Sequence, residues 1–206
     1  MSKTLLALFL FLLYNIIKKG DKMTGIFIGS FNPPTLAHLD IVLKLHHDLS
    51  EIIFVPVNSS EKHLIAIDDR IKMLKVYTRK YPFLKIDDIM KDYAFFNYRL
   101  LDILQKKYGD ITLIIGSDLL KKIEYFDNYL YILNKYTFIV LKRENDDVER
   151  IIKEKYPRYS NKFKIVDYDN IISSSMAREL IRKKQNNEDV LDKDIYDYII
   201  KHNFYV

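Results

Sequence analysis

Gly29-Ser30-Phe31-Asn32-Pro33-Pro34-Thr35-Leu36-Ala37-His38 stands between an apolar strand-like run, Met23 to Ile28, and a helix-like run, Leu39 to Leu49. A turn that joins strand to helix in this way is where open α/β sheets bind phosphates. The crevice lies outside the carboxyl end of the strand, and the free N–H groups of the next helix point into it. Gly29 lets the backbone approach an anion with no side chain in the way, and the paired prolines fix the entry into the helix. Thr35 then serves as N-cap, which puts His38 in the first turn with its ring on the crevice side.

Outward from this turn, short β-branched and aromatic runs alternate with longer stretches of helical period. Strands are expected at 52–57, 83–86, 111–115, 136–141 and 163–166. Helices are expected at 68–80, 96–108, from 117, from 129, and at 146–155, 174–184 and 193–202. The run Ile111 to Ile115 is apolar throughout, as in a strand buried on both faces of a parallel sheet, and Gly109 before it reads as a helix stop. The alternation predicts a doubly wound, Rossmann-like parallel sheet with helices on both faces, in a single α/β domain.

With 206 residues, 49% of them hydrophobic, the chain can bury one sizeable core. It has no cysteine, which removes disulfides and thiolate metal sites and suits a reducing compartment. The net charge of +5 comes from basic and acidic residues interleaved along the chain. Nucleic-acid binding as the main role would call for a clustered basic patch, so small anionic substrates are the better match. Residues 1–22 are a separate segment. Thr4 to Ile17 is an apolar run between lysines, short of the roughly 20 residues a spanning helix needs, and it fits a gene-model extension, a signal or a shallow anchor. Unless that run is an anchor, no membrane association is expected and the location is cytoplasmic. A homo-oligomer is compatible with the sequence.

Near the other end, Ile172-Ser173-Ser174-Ser175-Met176-Ala177-Arg178 offers a second anion cradle. The serines supply cap oxygens and open N–H groups, and Arg178 adds a planar fork of donors one turn further in. The histidines at 46, 47 and 202 lack ligand spacing and read as surface or packing residues. Arg70 reads as a helix-surface or salt-bridge residue.

Together, Gly-Ser-Phe-Asn-Pro-x-Thr-x-x-His and Ile-Ser-Ser-Ser-x-x-Arg resemble the signature pair of the nucleotidyltransferase superfamily. The chain is most similar there to the nicotinamide or nicotinate mononucleotide adenylyltransferases. Gly116-Ser117-Asp118, Tyr125-Phe126 and the tail ending in Phe204-Tyr205 add to the likeness, which runs from Met23 to Val206. It implies AMP transfer from ATP to a pyridine mononucleotide, with release of pyrophosphate in NAD biosynthesis. His38 and Arg178 would be catalytic. Gly29, Ser30, Phe31, Lys62, Gly116, Asp118, Ser173, Ser174 and Ser175 would hold ATP and its phosphates, and Tyr125 and Phe126 the pyridine nucleotide. Mg²⁺ would arrive with ATP, with no side chain assigned as its ligand.

Several positions depart from the family pattern. Thr35 stands where bacterial members carry a first histidine, Ala37 replaces a glycine, Phe126 replaces a tryptophan, and Phe95-Phe96-Asn97-Tyr98 replaces a Tyr-Thr segment. The alternatives are a phosphopantetheine adenylyltransferase and a nucleotide-binding protein of this fold without catalysis.

Overall fold

Six strands and eight α-helices alternate along the chain in the computed structural model, which describes residues 23–58, 64–94, 96–143, 146–168 and 171–206. In order they are β1 (Thr24–Gly29), α1 (Leu36–Leu45), β2 (Glu51–Pro56), α2 (Ile67–Lys80), β3 (Leu84–Ile86), α3 (Tyr98–Tyr108) and β4 (Ile111–Gly116). Then follow α4 (Ser117–Leu120), α5 (Tyr129–Lys135), β5 (Thr137–Lys142), α6 (Val148–Lys155), β6 (Phe163–Asp167), α7 (Ser174–Arg182) and α8 (Lys193–Lys201). Every strand pairing is parallel and the spatial order is β3-β2-β1-β4-β5-β6. This is the expected doubly wound sheet. Its order reverses between β1 and β4, and that reversal opens a crevice at their carboxyl ends.

The strands are apolar throughout because both faces are covered, and successive residues divide between two cores. Phe27, Ile52, Phe54, Ile114, Ile139 and Leu141 join the core beneath α1, α2, α7 and α8. Ile26, Ile53, Val55, Leu113, Ile115, Phe138 and Val140 join the other, beneath α3, α5 and α6.

Helix ends follow local chemistry. Thr35 caps α1 in extended backbone geometry, so that helix starts at Leu36 and ends at Leu45, earlier at both ends than the apolar run suggests. Asn97 accepts from the Arg99 N–H to cap α3, which starts at Tyr98, and Gly109 closes the helix at a φ of 78°. That angle is in the left-handed region, where glycine carries no Cβ penalty. The stretch from Ser117 forms only one short helix before a 3₁₀ turn at Ile123–Tyr125.

Ile114 is fully buried at the centre of the sheet. Ile114→Ala is expected to lower stability by about 2–4 kcal/mol, read as a reduced urea midpoint at unchanged slope. A loss below about 0.5 kcal/mol would contradict close packing of β4 against the core beneath α1, α2, α7 and α8.

Candidate active site

The turn after β1 is shaped by its own aromatic residue. Phe31 has a φ of 45°, and its ring is 1% exposed, edge-on to Phe27 at 5.4 Å and Phe54 at 5.3 Å. The ring lies over Gly29, where an added Cβ would sit 3.0 Å from its tip. A side chain at position 29 would thus press on the Phe31 ring from inside the turn itself, and the ring would have to shift by a few tenths of an ångström to admit it.

The turn also binds the second motif directly. Arg178 Nη1 donates to the Asn32 carbonyl at 2.7 Å, and Arg178 Nη2 donates to Ser175 Oγ at 3.0 Å. Ser174 Oγ donates to the Pro33 carbonyl at 2.8 Å. Ser173 caps α7 by accepting from the Met176 N–H at 3.1 Å, leaving the first N–H groups of the helix at the same edge. Two segments far apart in sequence thus form one cradle.

His38 lies within it, in the first turn of α1. The Thr35 N–H donates to His38 Nδ1 at 3.0 Å, and Thr35 Oγ1 is 2.8 Å from the same nitrogen. A ring nitrogen that accepts from a backbone N–H carries no proton, which assigns the imidazole proton to Nε2. Burial, reinforced by the charge of Arg143, pushes the His38 pKa from 6.5 down to about 4. The side chain is therefore neutral at pH 7, a donor through Nε2, and its tautomer is set by Thr35. Arg143 follows β5 and is exposed, so its charge adds a positive potential on this side of the crevice.

Gly116 and Asp118 are exposed at the end of β4, across the strand-order reversal from the first turn. A Cβ at Gly116 would meet nothing within 4 Å, so packing within the protein does not require glycine there. Between them Ser117 is buried and donates to Asp146, which also accepts from Lys121 at 2.7 Å. That bond ties β4 to the segment after β5 and leaves Asp118 outside the network. Tyr125 is 79% exposed and Phe126 38% exposed, and neither has a ring contact with the two motifs among the described residues. Lys62 lies outside the described residues.

Arg70 corrects the sequence reading. Instead of lying on the surface of α2, it is fully buried. Its Nε donates to the Ile65 carbonyl at 3.1 Å, Nη1 to the carbonyls of Ser30 at 2.7 Å and Val57 at 2.8 Å, and Nη2 to Asn58 Oδ1 at 2.8 Å. A helical-spacing signal was present in the sequence, because Arg70 shares the buried stripe of Ile71, Met73, Leu74 and Tyr77. Asn32 of the first motif and Tyr205 of the tail, neither given a site role by the sequence, are further members. Asn32 Oδ1 accepts from Tyr205 Oη at 2.6 Å and from the Ile65 N–H at 3.3 Å.

With this geometry in view, the likeness to known proteins is specific. The model of the cytidylyltransferase-like family matches residues 26–180. A probable nicotinate-nucleotide adenylyltransferase of Acholeplasma laidlawii is 30% identical over 193 residues, covering 89% of this chain and 97% of the relative. One from Clostridium acetobutylicum is 31% identical, covering 90% of this chain and 100% of the relative. The fold matches Plasmodium falciparum nicotinic acid mononucleotide adenylyltransferase complexed with NaAD at a TM-score of 0.74 and 24% identity, over 89% of this chain and 97% of that one. The same enzyme complexed with APC matches at 0.72 and 25% identity, with the same coverage of both chains. The chain belongs to the cytidylyltransferase-like family and, within it, to the nicotinate-nucleotide adenylyltransferases.

Folding favours neutral His38, so its contribution is complete above about pH 6.5 and declines as pH falls toward 4. Wild-type protein is expected to lose roughly 3 kcal/mol over that window beyond what His38→Gln loses, measured by denaturant melts at each pH. Parallel pH profiles for the two proteins would show that His38 titrates normally.

Proposed function

We propose that this cradle transfers AMP from ATP to nicotinate or nicotinamide mononucleotide, giving deamido-NAD or NAD and pyrophosphate. The observation that carries the reading is the direct bonding of the two motifs, with Arg178 on the Asn32 carbonyl and Ser174 on that of Pro33, around a neutral His38.

A 5′-phosphate oxygen of the mononucleotide attacks the α-phosphorus of ATP. A new P–O bond forms as the bond from the α-phosphorus to the bridging oxygen breaks, and the electron pair leaves on pyrophosphate. Such a transfer needs positioning and charge stabilisation more than covalent help. His38 Nε2–H donates to an α-phosphate oxygen and binds it more strongly as charge builds. The Phe31 amide and the backbone at Gly29 and Ser30 line the phosphate path. Arg178 has more donors than its present bonds use, and with the Ser174 and Ser175 amides at the start of α7, capped by Ser173, it receives the leaving pyrophosphate. Asp118 accepts from ribose hydroxyls, while the open space at Gly116 admits the nucleoside. Tyr125 and Phe126 offer exposed ring faces to the pyridine. Lys62 is assigned to phosphate on its place in the sequence alone.

Mg²⁺ is read as entering with ATP. Held by phosphates and water, the ion would supply charge neutralisation there. No helix among the described residues is long and apolar enough to cross a membrane. We read residues 23–206 as the catalytic unit, acting on small-molecule substrates in the cytoplasm.

Purified protein with Mg-ATP is expected to release pyrophosphate and form a dinucleotide with nicotinate or nicotinamide mononucleotide, and not with phosphopantetheine. Reaction with phosphopantetheine alone would replace the proposal by its nearest alternative, and no reaction with any of the three would remove it. His38→Ala should lower kcat on the order of a hundredfold while ATP still binds. Unchanged turnover would take His38 out of the mechanism. Protein started at Met23 should keep full activity, and a loss on removing residues 1–22 would give that segment a working role.

A further inference from the structure

We infer that Arg70, which lies behind the crevice, is a positioning residue that sets the direction of the Phe31 amide for phosphate binding. The inference rests on the proposed adenylyl transfer and deepens it.

One peptide plane carries both the Ser30 carbonyl and the Phe31 N–H. In a trans peptide the C=O and the N–H point in opposite directions and cannot be turned independently. The bond between Ser30 and Phe31 is trans, and the Ser30 carbonyl accepts from Arg70 Nη1 at 2.7 Å. The Phe31 N–H is therefore turned away from Arg70, and among the described residues no acceptor takes it. Rotating that peptide would remove a bond from a buried guanidinium, a change costly enough to fix the plane.

Arg70 cannot easily follow such a rotation. It is fully buried, and its fork also bonds the carbonyls of Ile65 and Val57 and the side-chain oxygen of Asn58. These partners lie before α2 and after β2, so one side chain braces the β1–α1 turn against the β2–α2 loop. The left-handed φ of Phe31 and the packing of its ring against Phe27, Phe54 and His38 hold the other side of the same peptide. Ring packing fixes where the residue sits, and Arg70 fixes which way its N–H faces. A lysine keeps the charge but has no planar fork to span these oxygens.

Arg70→Lys is expected to lower kcat per active site on the order of tenfold to a hundredfold, with the KM for the mononucleotide within about twofold of wild type. Asn58→Ala removes one exposed anchor of the fork and should lower kcat about threefold with the same pattern. In protein labelled with ¹⁵N-phenylalanine, the Phe31 amide resonance should shift on addition of ATP in the wild type and much less in Arg70→Lys. Wild-type kcat per active site in a folded Arg70→Lys, or an equal ATP-induced shift in both proteins, would overturn the inference. If Arg70→Lys does not fold, Asn58→Ala decides, and an unchanged kcat there would overturn it. The resonance measurement needs no turnover, so an inactive wild type that still shows the Phe31 shift would count against the proposed reaction and leave this inference standing.

Discussion

The hydrogen bonds of Asn32 are the constraint on which the crevice depends. Its carbonyl holds Arg178 from α7, and its side-chain oxygen holds both Tyr205 from the tail and the Ile65 N–H from the loop before α2. At 1% exposure these oxygens have lost water, so each protein donor replaces a bond that burial removed. One residue thus joins three parts of the chain that are separate in sequence. The Tyr205 phenol sits between the charges of Arg178 and Arg70 and keeps its proton, because burial raises its pKa more than those cations lower it. A protonated phenol can donate to Asn32, and the tail is thereby tied to the turn after β1.

A second constraint acts on charge. Arg178 and Arg70 both bond the turn after β1 and the charge of Arg143 acts on His38, yet His38 is neutral. The two facts are linked, since Arg143 helps depress the histidine and burial does the rest. Thr35 then uses the unprotonated Nδ1 as acceptor for its own N–H, so the helix cap and the ring orientation are one interaction. Thr35 is buried, and it serves as the support of the histidine that follows.

Much of the fold could be read from the sequence because burial on both faces makes parallel strands apolar throughout, and the helices between them carry a distinct period. The strand at 111–115 and the caps at Thr35 and Gly109 were legible on those grounds. The C-terminal end of α1, at Leu45 and not Leu49, was not, because apolar residues continue past a helix wherever the chain stays buried. The two motifs were legible as anion cradles, and their contact with each other was not, since sequence does not give the bond from Arg178 to the Asn32 carbonyl. The burial of Arg70 is not legible in its residue type, because a charged residue in a polar helix is usually solvated. Only its spacing with Leu74 and Tyr77 marked it as internal, and the neutralising oxygens come from loops that carry no motif. Asn32 is one letter of the first motif, and nothing in that motif shows that its side chain receives the tail.

The central claim is that the turn after β1 and the start of α7 form one phosphate site around a neutral His38. A crystal structure with a non-hydrolysable ATP analogue and Mg²⁺ tests it most directly. The account predicts the α-phosphate within hydrogen-bond distance of His38 Nε2 and the Phe31 N–H, with the β- and γ-phosphates on Arg178 and the first amides of α7. A triphosphate bound away from His38, or touching only one of the two motifs, would contradict it.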